Sequence, residues 1–476
     1  MQRRSVFLCA GLWVSTGCAG GSQGSTPGDD TGLPEEIVEQ ASQLRVDAAD
    51  GLPRDPDSRD VQLCALGSQV LAAWVDDRDG APAVWANRSE DGGLTWAEQA
   101  LAISRSPGAA ADPSLACDGS RAWIAWTDTR DSEFERPSTW LSASGDSGAS
   151  WDSPRRLDIQ GVTDQGARAP HVQAEGADVL VTWAANPFGG FDIFAAVSHD
   201  GGGSFSIAQR LDSGDDAGAS YSANPQAVFT DDAVLVAFED RRDGVMNILA
   251  VRSEDRGDSF GAEQTLSGAP GDALGVRLAA SGTRAWATWH QGPSDARLDV
   301  YVSAMNEGSW SGAERVSGGE AGQRDDVRPR IAAAGDTAHL VWFSEARGGY
   351  EVRHQPISGG SPADEPARVD RSTDGVYADR PSVAAQGDVV LVAWEDDRNA
   401  SEADDTDVFV AWSTDGGTSW SEDQRINPAV QAVAAATDLQ VVMSGDTAWV
   451  GWADRSLGTF DIYVAPLSIP SEGGAR

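Results

Sequence analysis

Apolar and polar residues alternate in short runs along most of this chain. The pattern is clearest between Arg380 and Asn427, where four runs predict strands at Ser382–Ala385, Val389–Trp394, Asp407–Trp412 and Gln424–Ile426. Each run is short, rich in β-branched residues and bounded by Gly, Asp or Pro. An aromatic residue late in the second run marks the same unit elsewhere, at Trp74, Trp126, Trp183, Phe238, Trp289, Trp342, Trp394 and Trp452. The spacings are 52, 57, 55, 51, 53, 52 and 58 residues, which gives eight copies with length changes confined to loops. Four short strands at this period predict a propeller blade rather than the shorter, stricter rung of a β-helix. The expected fold class is therefore all-β, an eight-bladed β-propeller of four-stranded antiparallel blades.

The ends of the array predict how the ring closes. The last repeat stops after its third strand, Ile462–Leu467, without the fourth-strand segment seen at 156–158, 368–370 and 425–427. Arg45-Val46-Asp47 resembles that segment and precedes the first repeat. It is expected to pair with the C-terminal strands and complete blade eight, which removes the exposed sheet edges that invite aggregation. The expected organisation is a leader over 1–18, a tether over 19–42, the propeller over 43–467 and a tail over 468–476.

A second motif, Ser-x-Asp-x-Gly-x-Ser/Thr-Trp/Phe, follows the third strand. It starts at Ser89, Ser144, Ser198, Ser253 and Ser413, and its acids are Asp91, Asp146, Asp200, Asp255 and Asp415. The carboxylate can accept bonds from the amides of its own turn, Gly permits a positive φ, and the aromatic buries a large area. Five copies in register resemble the Asp-box, or BNR, repeats of sialidase-like propellers. That resemblance covers residues 43–467 and implies a fold rather than a chemistry. It also implies that the box lies on the face opposite any active site, which makes these Asp residues structural. In blade five Met305 stands where Asp belongs, although Ser303 and Trp310 persist, and blade six lacks the box.

The N-terminus predicts export. Arg3 and Arg4 precede an apolar stretch, Val6–Val14, too short to cross a bilayer. Ser15-Thr16-Gly17-Cys18 resembles a bacterial lipoprotein processing site with Cys18 as the lipidated residue, although Ser15 stands where Leu is usual. The Arg pair also resembles a twin-Arg signal. Residues 19–41 are rich in Gly, Ser, Pro, Asp and Glu and read as a flexible tether. The expected location is the outer membrane or cell surface, or otherwise the periplasm or medium, with membrane contact through the lipid alone.

Composition narrows the partners. Of 476 residues, 74 are acidic and 35 basic, and every basic residue is Arg. A formal charge of −39 repels nucleic acid, whose phosphates need clustered positive charge. Outside the leader the only Cys residues are Cys64 and Cys117, one residue out of register in the first two repeats. Because neighbours along a strand point to opposite faces, they read as two buried free thiols, with a disulfide as the alternative.

The loops opposite the Asp-box carry the candidate chemistry. Trp-x-Asp-x-Arg occurs at Trp74-Asp76-Arg78, Trp126-Asp128-Arg130 and Trp394-Asp396-Arg398, with Phe238-Asp240-Arg242 as a variant. Recurrence favours structural Arg–Asp pairs over a carboxylate ring for Ca2+. No cofactor or metal is expected, and the five His show no ligand spacing. A site should break the symmetry, which blades three, five and six do at 185–188, 290–292 and 344–346. Arg168, Arg277, Arg328 and Arg380 lie where first strands begin, and Tyr221 and Tyr377 precede two of those strands. Such Arg residues can grip a carboxylate or sulfate, or pair with local acids such as Asp325, Asp326 and Asp379. With Glu345 they form the candidate ligand-binding set. The expected function is a monomeric binding or scaffold propeller for a glycan or an envelope protein. The alternative is a sialidase-like exo-glycosidase using Tyr377 assisted by Glu345 or Glu395. That alternative lacks an Arg-Ile-Pro motif, the nearest string being Arg328-Pro329-Arg330-Ile331.

Overall fold

The computed structural model describes residues 44–469, apart from 48–55, 133–135, 158, 163, 295, 360, 363–364, 401–404, 428–436 and 456–457. The leader, Cys18 and the tether lie outside the described residues. Residues 38–476 form one compact unit. Its described elements are strands, arranged as eight antiparallel sheets in chain order.

Blade 1 shows the pattern. Its strands are Arg59–Leu66, Gln69–Asp76, Ala83–Ser89 and Leu101–Ala102, each hydrogen-bonded to the next. The second strand of every blade is apolar on both faces because a blade lies between two others. All eight marker aromatics, from Trp74 to Trp452, are fully buried. Eight apolar clusters fill the blade boundaries, one for each pair of neighbours. Burying each such aromatic contributes roughly 2–3 kcal/mol.

The ring closes through the N-terminus. Leu44–Arg45 pairs antiparallel with the third strand of blade 8, Asp461–Ser468, setting Leu44 against Val464 and Arg45 against Tyr463. The Val46 amide then donates to the Ile462 carbonyl at 2.8 Å. Val46 is buried with Val61 and Trp74 of blade 1 and Trp449 and Val464 of blade 8. Arg45 also pairs with Asp461 at 2.7 Å. The fourth strand missing from the C-terminal end is thus supplied from the other end of the chain.

The five Asp-containing turns share one set of bonds. In blade 1 the Asp91 carboxylate accepts from Ser89 Oγ at 2.8 Å, the Thr95 amide at 2.8 Å and Thr95 Oγ1 at 2.6 Å. Hydroxyl and amide bonds at Thr95 hold Asp91 below the usual carboxylate range, and Ser259 does the same for Asp255, down to about 2. Each turn also docks on the preceding blade. A Cβ on Gly93 would meet Trp449 of blade 8 at 3.1 Å, and the Trp449 indole donates to the Gly92 carbonyl at 2.9 Å. Blades 5 and 6 replace the turn with tight hairpins, Met305 pairing with Trp310 and Ser358 with Ser361.

The cysteines correct the expectation of free thiols: Cys64 and Cys117 form a disulfide, with Cα atoms 6.2 Å apart. The one-residue offset is what makes the bond possible. Neighbouring blades meet through opposite faces of equivalent sheets. Cys64 points from blade 1 toward blade 2, and Cys117, one position further along, points from blade 2 toward blade 1. Cysteines in strict register would face the same way around the ring and never meet.

Candidate site at the mouth of the ring

The first strand of each blade is the innermost, and all eight contain a bulge at the same place. A bulge sets two residues against one and re-aims a side chain. In seven blades the first bulged residue has positive φ: Asp60, Asp112, Ala169, Asn224, Gly275, Arg328 and Arg380. For the non-glycine residues this backbone costs about 1–3 kcal/mol, strain that persists only where the surroundings impose it. Proline follows in five of the seven, at 113, 170, 225, 329 and 381, where no ladder bond is lost.

The re-aimed side chains converge on a cavity of about 620 Å³ inside the ring. Arg277, Arg328, Arg330 and Arg380 line one side, and Asp60 and Asp112 line another. The Arg residues crowd one another. Burial, then the charges of Arg277 and Arg328, pushes Arg330 down to about 9. Arg277 is lowered by burial, opposed by Glu239. Among the described residues, Arg277 and Arg330 bond only to carbonyls of their own strands, Val276 at 2.8 Å and Pro329 at 3.3 Å. Arg328 is exposed to the cavity with no ion pair among the described residues. Behind them lies His290, pushed down to about 4 by burial and then by Arg328, Arg277 and Arg330, so it is neutral at pH 7.

One acid anchors this wall. Arg380 donates to Glu395 Oε2 at 2.7 Å, and Glu395 is 1% exposed. Asp379 is raised by burial against the pull of Arg380 and Arg328. Deeper in the channel the lining side chains are small or apolar, among them Ala65, Leu115, Ala332 and Val442.

Of the candidate ligand residues, Arg277, Arg328 and Arg380 share this cavity, and the other four do not. Arg328 and Arg380 are equivalent bulge residues, whereas Arg277 lies two places beyond its bulge. Arg168 lies one place before its bulge and stacks on Phe191 at 3.4 Å and Tyr221 at 4.9 Å. Glu345 is ion-paired with Arg297. Tyr221 and Tyr377 stand at the rim, 39% and 46% exposed. Of the local acids, Asp325 pairs with Arg297 and Asp326 with Arg324, whereas Asp379 lies in the field of Arg380 and Arg328. Sequence reasoning missed Arg330, Asp60 and Asp112. The residue–Pro step recurring near the start of first strands signals Asp112 and, at Arg328-Pro329, the neighbour of Arg330, whereas Asp60, followed by Val61, carries no such signal.

The Trp-x-Asp-x-Arg loops are structural pairs. Asp76 accepts from the Trp74 indole at 2.9 Å and from Arg78, whose guanidinium lies 4.2 Å over the Trp85 ring. Asp128 and Asp396 repeat the arrangement. In blade 5 Gln291 takes the place of the acid and accepts from the Trp289 indole at 3.0 Å. Among the described residues no group of three or more acidic, His or Cys side chains is placed to hold a metal.

Fold and site together define an eight-bladed propeller with a cationic cavity at one mouth. No protein-family profile matches this chain, and no curated protein sequence does. Solved structures do resemble it. An ulvan lyase of polysaccharide lyase family PL25 superposes with a TM-score of 0.47 at 11% identity, over 78% of this chain and 96% of that one. The α-L-arabinofuranosidase Arb93A of Fusarium graminearum, in complex with an iminosugar inhibitor, gives 0.42 at 12% identity, over 90% and 98%. A Penicillium chrysogenum α-L-arabinanase complexed with arabinobiose gives 0.40 at 11%, over 91% and 99%.

Proposed function

We propose that this chain is an exported, lipid-anchored envelope propeller that binds an acidic glycan in the cavity at its mouth. The observation that carries the reading is the convergence of Arg277, Arg328, Arg330 and Arg380 on one cavity in a chain of formal charge −39. Crowded guanidinium groups repel one another, and an anion relieves that repulsion. Arg matches the planar geometry of a carboxylate or sulfate by bidentate bonds. Asp60 and Asp112 on the facing side offer acceptors for sugar hydroxyls. The leader and Cys18 motif support export and anchoring, and the Asp-box resemblance supports a structural role for the turns.

The test is calorimetric titration of purified protein with polygalacturonate, hyaluronate, chondroitin sulfate and a neutral glucan. Binding is expected for acidic polymers, weakened by salt and lost in Arg328→Ala. Binding of the neutral glucan alone, or of none, overturns the proposal. Palmitate labelling that disappears in Cys18→Ser tests the anchor, and unlabelled wild type refutes it. A hydrolase reading rests on Glu395 and Asp379 beside the cavity. It is favoured instead if reducing ends accumulate and Glu395→Gln abolishes them. The Tyr–Glu pair of a sialidase-like site is less well supported, because among the described residues no hydrogen bond joins Tyr377 to Glu345 or Glu395.

A further inference from the structure

We infer that the mouth takes an extended acidic oligosaccharide, with internal sugars held by the Arg cavity and flanking sugars stacked on Tyr377 and Tyr221. This rests on the acidic-glycan reading above and adds the form of the ligand.

Of the five Tyr residues, only Tyr221 and Tyr377 are exposed. They occupy the same position in their blades, immediately before the first strands Ser222–Phe229 and Ala378–Gln386. Backbone bonds mark the equivalence: the Arg241 amide donates to the Tyr221 carbonyl and the Asp397 amide to the Tyr377 carbonyl. Equivalent places elsewhere hold Ala109 and Asp325, which receive the same bond from Thr129 and Glu345. An exposed aromatic here is therefore not required by the blade.

Both rings stand on built supports. The Tyr377 ring meets Tyr350 edge-on at 5.0 Å, and Tyr350 meets Phe343 at 5.0 Å. The Tyr377 amide is fixed by Asp397 at 2.7 Å. The Tyr221 ring meets Phe191 at 5.8 Å with Arg168 against both. Phe188, in the loop of blade 3 that breaks the repeat, adds a 50% exposed ring to that side. Rigid exposed aromatic rings suit the apolar C–H faces of sugars, and their polar rims suit hydroxyls.

Spacing sets the ligand length. Tyr377 precedes the cavity residue Arg380 by three positions, about 10 Å of strand. A monosaccharide in the cavity cannot span that distance, whereas a chain of several sugars can. The two rings lie at the blade 3/4 and blade 6/7 boundaries, so a chain running between them passes Arg277 of blade 5 and Arg328 and Arg330 of blade 6, with Arg380 of blade 7 beside Tyr377. A pocket for a single terminal sugar would need neither ring.

The experiment measures the affinity of size-defined oligomers of polygalacturonate, hyaluronate and chondroitin sulfate, from two to eight sugars. Affinity is expected to rise about tenfold between dimer and hexamer, equivalent to about 1.4 kcal/mol. In Tyr377→Ala the hexamer-to-dimer ratio should fall toward one, and Tyr377→Phe should restore it. Dimers that bind as tightly as hexamers overturn the inference while leaving the acidic-glycan reading intact. So does a ratio unchanged in both Tyr377→Ala and Tyr221→Ala. Oligomers that fail to bind at any length overturn both.

Discussion

Arg380 and Glu395 form an asymmetric pair: the carboxylate side chain is 1% exposed, whereas the guanidinium is 46% exposed and faces the cavity. Glu395 directly follows the buried marker Trp394, and Arg380 is the bulged residue folded over it from the adjoining strand. Blade 4 repeats the design with Glu239 after Phe238, where Asn224 at the bulge donates to Glu239 at 3.0 Å. An acid behind the bulge thus fixes a re-aimed side chain at the cavity wall. Where no acid stands behind, as at Arg328, Phe343 occupies the equivalent place.

This difference separates stability from binding. Arg380→Ala strips the cation from a buried acid and should cost about 1 kcal/mol, a figure kept low because the guanidinium is half exposed. Arg328→Ala removes an exposed side chain and should leave the melting temperature within error. Both variants should lose affinity for acidic polysaccharide. Thermal melts alongside calorimetry check this, and a larger loss of stability in Arg328→Ala contradicts it.

The closure predicts a global effect from a local change. Val46 is 2% exposed and bridges blades 8 and 1. The Arg78 guanidinium donates to the Asp47 carbonyl at 2.9 Å, and Asn87 donates to the Val46 carbonyl at 3.0 Å. Deleting residues 43–48 opens a sheet edge and an apolar boundary together. Val46→Asp buries an unpaired charge there, a change worth several kcal/mol. Both should lower the melting temperature of the whole ring by many degrees. A transition unchanged in both variants refutes the closure.

The blade count and the closure were legible because the marker aromatic recurs at a regular period and one fourth strand was visibly missing. The cavity was harder to read. A bulge is a property of pairing, two residues opposite one, and a single strand does not display its partner's register. Hence Arg168, Arg277 and Arg328 looked equivalent from their places near strand starts, whereas only Arg328 is bulged. The residue–Pro steps at 112–113, 328–329 and 380–381 are visible in the sequence, but nothing in a single strand marks them as bulges. The cysteines failed for a related reason: register was judged within one sheet, while the contact lies between two.

The disulfide joins the first two blades next to the closure. Its cysteines are 53 positions apart in sequence, and the loop-entropy view places its contribution at up to about 4 kcal/mol. Reduction by a phosphine, or the pair Cys64→Ser and Cys117→Ser, should lower the melting temperature by several degrees without altering affinity for acidic oligosaccharides. Mass spectrometry after alkylation should find no free thiol at either position in native protein. Two alkylated cysteines, or an unchanged melt after verified reduction, contradicts the assignment.

Acid should unfold the ring through its buried histidines. His339 Nδ1 lies 3.1 Å from His354 Nε2, the rings stack, and the two residues are 2% and 0% exposed. Burial pushes His339 down to about 4, and burial with the neighbouring His339 pushes His354 to about 3. His171 and His290 are also lowered to about 4, chiefly by burial. In the unfolded chain all four titrate near 6.5, so below that pH the unfolded state takes up protons that the folded state refuses. Their stabilisation is complete above pH 6.5, is lost as pH falls from 6.5 toward 4, and is exhausted below the folded values. Each histidine steepens the loss by up to about 1.4 kcal/mol per pH unit. Asp212, raised to about 6 by burial, acts in the opposite direction over part of this window, as do Asp192, Glu239, Asp326, Asp379 and Asp423, also raised chiefly by burial, and His199, raised by its bonds to Asp178 and Asp258. Below pH 6.5 the melting temperature should therefore fall more shallowly in the double variant His339→Gln, His354→Gln than in the wild type. A pH dependence that is the same in the double variant and the wild type from pH 7.5 to 4 contradicts the buried neutral pair.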